Sequence, residues 1–154
     1  MQLLLIFYLL RKWLIFERID AIMIVGRKEY NVYEIIFYED KNGRSDLYET
    51  LLTLTKASKN NKDARIQLNQ IVYCIDLLKN SGTRIPSNIT KHIEDNIWEL
   101  RPGNNRILYF YYIDNVFVLL HMFRKQTQKT PRSEIEQAKK ERDNYITRKG
   151  GTKL

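Results

Sequence analysis

The sequence predicts an α+β fold: an antiparallel sheet of about four strands, two N-terminal helices packed on one face, and a short C-terminal helix. Three observations predict it. Runs rich in β-branched and aromatic residues alternate with segments whose apolar residues recur every three or four positions. Their order along the chain is β, α, α, β, β, β, α. The last three strand-like runs follow one another closely, which suits an antiparallel meander.

Val32 to Tyr38 reads as the first strand, closed by the turn residues Glu39-Asp40-Lys41-Asn42-Gly43. Leu47, Leu51 and Leu54, then Ala64, Leu68, Ile71, Ile75 and Leu78, mark two amphipathic helices on either side of the polar break Lys59-Asn60-Asn61-Lys62. Asn80-Ser81-Gly82 ends the second helix and Pro86 holds a loop. Three strands follow, Ile97 to Arg101, Arg106 to Ile113 and Val116 to Lys125. Thr130-Pro131 has the form of an N-cap and first helical position, with Glu134 and Glu136 near the start and Lys139, Lys140 and Arg142 later.

A chain of 154 residues, 44% apolar and 12% aromatic, can bury a substantial core, which excludes disordered, collagenous and low-complexity classes. The single cysteine, Cys74, excludes an intramolecular disulfide framework and a cysteine-built zinc site, and fits a reducing, cytoplasmic compartment. The charge is uneven: of the net +8, residues 121 to 154 carry +6 and the first 120 carry +2. A localised cationic excess attracts polyanions, so nucleic acid or an anionic membrane surface is a candidate partner beside a merely soluble basic surface.

Residues 3 to 10 are an unbroken apolar run, followed by Arg11-Lys12 and a second patch at Trp13 to Phe16. The run is far short of the ~20 residues that span a bilayer. Its charge order is the reverse of a secretory signal, and no Ala-x-Ala-like site follows. A membrane-surface helix, a helix packed on the domain, and an extension ahead of a start at Met23 are the remaining readings. The third is adopted here, giving an N-terminal extension at 1–22 and a single domain at 23–154, with no stable membrane association.

Asp114-Asn115 lies between two long strand patterns as a two-residue hairpin loop, so Ile113 faces Val116, Arg106 faces Phe123 and Leu108 faces His121. Alternation then puts Arg106, Leu108, Phe110 and Tyr112 on one face with Phe117, Leu119, His121, Phe123 and Lys125. Two cations and an imidazole beside an apolar floor suit a phosphodiester and its flanking bases. Each member also has a plainer role. Arg106 can pair with Glu99 across the sheet, His121 can be a satisfied structural histidine, Lys125 a solvated edge charge, and Tyr109, Tyr111 and Tyr112 sheet packing.

From Ile97-Trp98-Glu99-Leu100-Arg101 through Arg106-Ile-Leu-Tyr-Phe, Leu119-Leu120-His121-Met122-Phe123-Arg124-Lys125, Thr127-Gln128-Lys129-Thr130-Pro131 and Glu134-Ile135-Glu136-Gln137-Ala138, the chain resembles the HigB-type branch of the RelE/ParE toxins of bacterial toxin–antitoxin modules. The resemblance covers about residues 30 to 146. It implies a compact RelE-like antiparallel sheet and a metal- and cofactor-independent endoribonuclease that cuts mRNA in the ribosomal A site by attack of the ribose 2′-OH on the adjacent phosphate. It implies Arg106 against the scissile phosphate, Lys125 for charge stabilisation or proton donation, and His121 as a possible acid or base. Arg101 is a supporting phosphate contact, and Arg124 and Lys129 are further RNA contacts. Where RelE has lysines before the Leu-Arg pair this chain has Ile97 and Glu99, and RelE's C-terminal tyrosine has no counterpart near Pro131. Lys91 and His92, read as a loop just upstream, are candidates for the missing base by chemical type and position.

The implied partners are a HigA-like antitoxin with a DNA-binding helix-turn-helix, the ribosome and mRNA, and operator DNA through the antitoxin complex. Three other functions compete: a ParE-like noncatalytic gyrase inhibitor, an RNA-binding module that does not cut, and, last, a membrane-active peptide toxin using residues 3 to 16.

Overall fold

The computed structural model describes residues 33–150. The expected extension at 1–22, the start at Met23 and the boundary between them lie outside the described residues. Five strands and three helices follow in order: β1 (Glu34–Phe37), α1 (Asp46–Ala57), α2 (Lys62–Ser81), β2 (Thr90–Glu94), β3 (Ile97–Leu100), β4 (Asn105–Tyr111), β5 (Val116–Arg124) and α3 (Arg132–Arg148). The class is α+β. Among the described residues no helix is long and apolar enough to cross a membrane.

Local chemistry sets the helix ends. The Ser45 hydroxyl accepts the Tyr48 backbone N–H at the start of α1, and the Asn61 side chain accepts that of Ala64 at the start of α2. The polar break is thus the second helix's cap and first residue. Gly82 ends α2 at φ +61, its N–H bonded to Leu78 O at 2.8 Å, a left-handed conformation that costs glycine little.

The sheet order is β1-β5-β4-β3-β2. From β2 to β5 it is the expected antiparallel meander, but β1 joins β5 in parallel, so the sheet is mixed. The fifth strand, β2, falls where a loop with Lys91 and His92 was expected. Its side chains are mostly polar or half-exposed because it is an edge, so it lacks the apolar run that marks inner strands.

The two N-terminal helices cover one face, as expected, and the C-terminal helix covers the other. Leu47, Leu51, Ile71, Cys74, Ile75 and Leu78 of α1 and α2 pack on Ile35, Leu100, Ile107, Tyr109, Phe117 and Leu119. On the other face, Ala138, Tyr145 and Ile146 of α3 pack on Ile97, Leu108, Phe110, Val116, Val118 and Leu120. The C-terminal helix is therefore a full structural layer of 17 residues. Each wholly buried Leu, Ile or Phe contributes about 1.5–3 kcal/mol relative to exposure.

The β4–β5 connection departs from the expected register in two compensating ways. Tyr112 N–H bonds Val116 O at 2.7 Å, so the loop is three residues, Ile113 to Asn115, with Asp114 at φ +56 and Asn115 at φ +61. Asp and Asn tolerate this region better than most residues. Near the turn, Tyr111 faces Phe117 and Tyr109 faces Leu119, one step off the expected pairing. Leu120 and His121 together then oppose Leu108 as a β-bulge, and beyond it Ile107 faces Met122 and Arg106 faces Phe123 as expected. Phe117 and Leu119 consequently face α1 and α2, not the Arg106 face. The apolar floor beside Arg106 is Leu108, Phe110, Val118 and Leu120.

A Cβ at Gly82 would lie 2.7 Å from the Tyr33 ring, whereas at Gly43, φ +75, it would meet nothing within 4 Å. Gly82→Ala should therefore destabilise by about 2–3 kcal/mol and Gly43→Ala by about 1 kcal/mol. Urea unfolding of both variants checks the order, and equal losses would contradict the close approach of Tyr33.

Candidate functional site

At the open end of β3, β4 and β5 a cleft of about 70 Å³ is lined by Glu99, Arg101, Arg106, Phe123, Lys125 and the segment Gln126 to Pro131. That volume holds several atoms, so the cleft admits a group such as a phosphate. Four cations, Arg101, Arg106, Lys125 and Lys129, and one carboxylate, Glu99, line it.

The turn between β3 and β4 brings the two arginines together. Arg101 follows β3, its N–H bonded to Ile89 O at 2.8 Å. Pro102 O accepts Asn105 N–H at 3.0 Å, and Gly103 at φ +58 closes the turn that returns Arg106 on β4. Lys125 is fixed just past β5 by its N–H to Asn104 O, 2.8 Å.

Glu99 lies beneath them at 2% exposure. Its Oε1 accepts Arg101 Nε–H at 2.9 Å and is 3.5 Å from Arg106 Nε, and its Oε2 accepts the Thr130 hydroxyl at 2.5 Å. Arg106 Nη1 also donates to Gly103 O at 2.9 Å and Asn105 O at 2.6 Å. Burial pushes the Arg106 guanidinium down from its usual value, Glu99 opposes that, and Arg101 adds to it. Arginine starts so high that it stays charged at neutral pH.

The expected site residues separate into two groups. Arg101, Arg106, Lys125 and Lys129 line the cleft. His121, Arg124, Lys91 and His92 do not. Arg124 pairs with Asn105, whose amide donates to Gln67 of α2, which puts Arg124 on the opposite face of the sheet. Lys91 is exposed on edge strand β2, opposite Glu99. His92 Nε2 lies 2.7 Å from Asp95 O, with its ring 5.0 Å from Trp98.

His121 is turned by the β5 bulge toward α3. Its Nδ1 lies 2.7 Å from Glu141 Oε2 and its Nε2 3.1 Å from Glu134 Oε2, with the residue 4% exposed. Two carboxylates on the two ring nitrogens are satisfied together only when both nitrogens donate, so the geometry selects the imidazolium. Burial opposes the charge, but the hydrogen bonds and charges of Glu141 and Glu134 outweigh it and raise the His121 pKa. An imidazolium held this way is a cationic staple for α3 and a poor general base.

Two residues of the cleft escaped sequence reading. Thr130 reads as a helix cap, yet Pro131 occupies the cap position of α3 and the Thr130 hydroxyl goes to Glu99. Glu99 reads as a partner of Arg106 alone. Its alternation with Ile97 and Arg101 along β3 is the signal that would have put it beneath both arginines.

The layered fold and its cationic cleft define a small α+β protein equipped to bind an oxyanion. A profile of the family described as "Phage derived protein Gp49-like (DUF891)" matches residues 57–143, more than half of the chain and all of the cleft. The chain belongs to this Gp49-like family. No curated protein matches it significantly. Among solved structures it is similar to the archaeal RelE–RelB complex from Pyrococcus horikoshii OT3, at 16% identity over 60% of this chain and 94% of that one, TM-score 0.43. It is also similar to the YoeB dimer from Staphylococcus aureus, at 13% identity over 62% and 99%, TM-score 0.42. The toxin–antitoxin complex RelBE2 from Mycobacterium tuberculosis matches at 14% identity over 64% and 98%, TM-score 0.34.

A raised folded-state pKa makes the staple stabilising at low pH. Its full contribution is present below the ordinary histidine value of 6.5 and is lost as pH rises through the higher folded value. Denaturant unfolding from pH 6 upward should show this loss, and His121→Gln should remove that part of the slope. A variant as pH-sensitive as the parent would show that another group carries it.

Proposed function

We propose that this chain is the toxin of a type II toxin–antitoxin module, a HigB-type mRNA endonuclease of the RelE/ParE superfamily that acts on the translating ribosome. One observation carries the reading: Arg101, Arg106, Lys125 and Lys129, separated in sequence, line a single cleft that admits a phosphate. The Gly103 turn and the β5 bulge, not a general basic surface, bring them there.

The reaction is attack of a ribose 2′-OH on the adjacent phosphate, forming a 2′,3′-cyclic phosphate and expelling the 5′-oxygen of the next nucleotide. Negative charge grows on the equatorial oxygens, and fixed guanidiniums in a partly buried cleft stabilise it. Arg106 takes the scissile phosphate, Arg101 and Lys129 support the chain, and Lys125 neutralises charge or protonates the leaving oxygen. His121 serves by holding α3, and Arg124, Lys91 and His92 have no part in the cleft. Among the described residues no side chain lining the cleft is poised as a base, since Glu99 is buried and already bonded. That supports dependence on the ribosome for the proton from the 2′-OH.

In this reading the partners are the ribosome and mRNA, a HigA-like antitoxin that neutralises the chain, and operator DNA reached through that antitoxin's helix-turn-helix. The compartment is the cytoplasm. Metal and cofactor have no role in the chemistry.

Primer extension on a reporter mRNA after induced expression should reveal cuts confined to translated regions. Arg106→Ala combined with Lys125→Ala should reduce them at least about 100-fold. Growth arrest with no cuts would sink the nuclease reading and point to gyrase, where supercoiling of a reporter plasmid is the readout.

A further inference from the structure

We propose that Glu99 is the positioning residue of the cleft: its carboxylate sets the spacing and orientation of Arg101 and Arg106 so that their uncommitted N–H groups seat one phosphodiester. The proposal rests on the reading of the cleft as an RNA site. An acidic side chain is unexpected at the floor of a pocket for an anion, because it lowers the attraction that the surrounding cations exert. Burial makes it stranger, since an ionised carboxylate needs close partners to leave water.

The contacts explain its presence. Both arginine Nε atoms approach the same oxygen, Oε1, at 2.9 and 3.5 Å, which holds two like charges within the span of one phosphate. Two guanidiniums that close repel each other, and only a shared anion keeps them together before ligand arrives. The remaining bonds fix rotation about each side chain. Arg106 Nη1 is used by Gly103 O and Asn105 O, and Arg101 Nη1 donates to Ser87 O at 3.3 Å. Among the described residues Nη2 of each arginine has no acceptor, which leaves two donors uncommitted on side chains that line the cleft. The second oxygen, Oε2, ties the segment bearing Lys125 and Lys129 to the same centre through Thr130. At 2% exposure Glu99 is shielded from a substrate hydroxyl, so it acts through the arginines.

A positioning role separates binding from turnover. Glu99→Gln keeps the volume and removes a negative charge, so affinity for a noncleavable single-stranded oligonucleotide should stay equal or rise. Cleavage of ribosome-bound mRNA should fall about 10- to 100-fold, the usual result of misplacing a group by an ångström. A merely structural role would weaken both together.

The direct readout is the arginine Nε–Hε NMR spectrum of the full chain, with and without a 2′-deoxy oligonucleotide. The parent should show slow-exchanging, shifted Arg101 and Arg106 signals that move together on titration. In Glu99→Gln they should collapse into the bulk arginine envelope while the backbone spectrum persists. Unchanged arginine signals in that variant would overturn the positioning role alone. Ordered parent signals that ignore the oligonucleotide would overturn the RNA site and with it the seat. If Glu99→Gln does not fold, Glu99→Asp keeps the buried charge but retracts it, and it should lose the Arg106 signal first.

Discussion

The site depends on one irregularity, the extra residue that β5 inserts at Leu120–His121. A three-residue hairpin loop puts the strands one step out of the pairing that would bring Arg106 opposite Phe123. The bulge restores that step. Toward the turn, Phe117 and Leu119 fill the α1–α2 core, while beyond the bulge Phe123 turns to the Arg106 face and lines the cleft. A regular strand would send either Phe117 or Phe123 to the wrong layer, since a one-residue slip exchanges the faces of everything beyond it. The bulged residue itself, His121, is released from alternation and reaches the two carboxylates of α3.

This shows why part of the fold was legible and part was not. Periodicity located both early helices, four of the five strands and the last helix closely, because each buries a regular apolar face. β2 was missed because Thr90, Lys91, His92, Ile93 and Glu94 form an edge, half solvated, with its own irregularity between His92 and Glu94. The parallel partnership of β1 with β5 carries no local signal, since a short apolar strand reads the same whichever way its neighbour runs. For the cleft, alternation correctly joined Arg106 to the open end of the hairpin. It erred on Phe117 and Leu119 because a bulge leaves no mark in the residue pattern, and it carried no sign of what His121 bonds, because both ring-nitrogen partners come from a helix 13 and 20 residues away.

Two buried charges stabilise the architecture by opposite means. Glu99 is an anion surrounded by cations and a hydroxyl, and His121 is a cation between two anions. Burying a charge is favourable only when its partners are close and oriented, so each fixes the elements that supply those partners. Glu99 fixes the β3–β4 turn and the segment before α3, and His121 fixes α3 against β5. The segment 125–131 is thereby held at one end by β5 and at the other by Thr130.

The charge distribution takes a different meaning once its partners are known. Residues 121 to 154 hold most of the net charge, which by itself suggests a broad polyanion-binding surface. Much of that charge is already engaged. Arg132 pairs with Glu94 and Glu136, Lys139 with Glu94 and Asp95, and Arg142 with Asp143. Arg148 donates to Asn144 and to the backbone oxygens of Glu39 and Asp40. These cations of α3 dock the helix on the β2–β3 turn and on the chain leaving β1. Of the cations that remain, Lys125 and Lys129 line the cleft where the excess meets the sheet, beside two arginines that come from before residue 121. On the proposed reading, a focused group of cations over a buried carboxylate, and not a diffuse basic end, gives the physical basis for recognising one phosphate at a defined position.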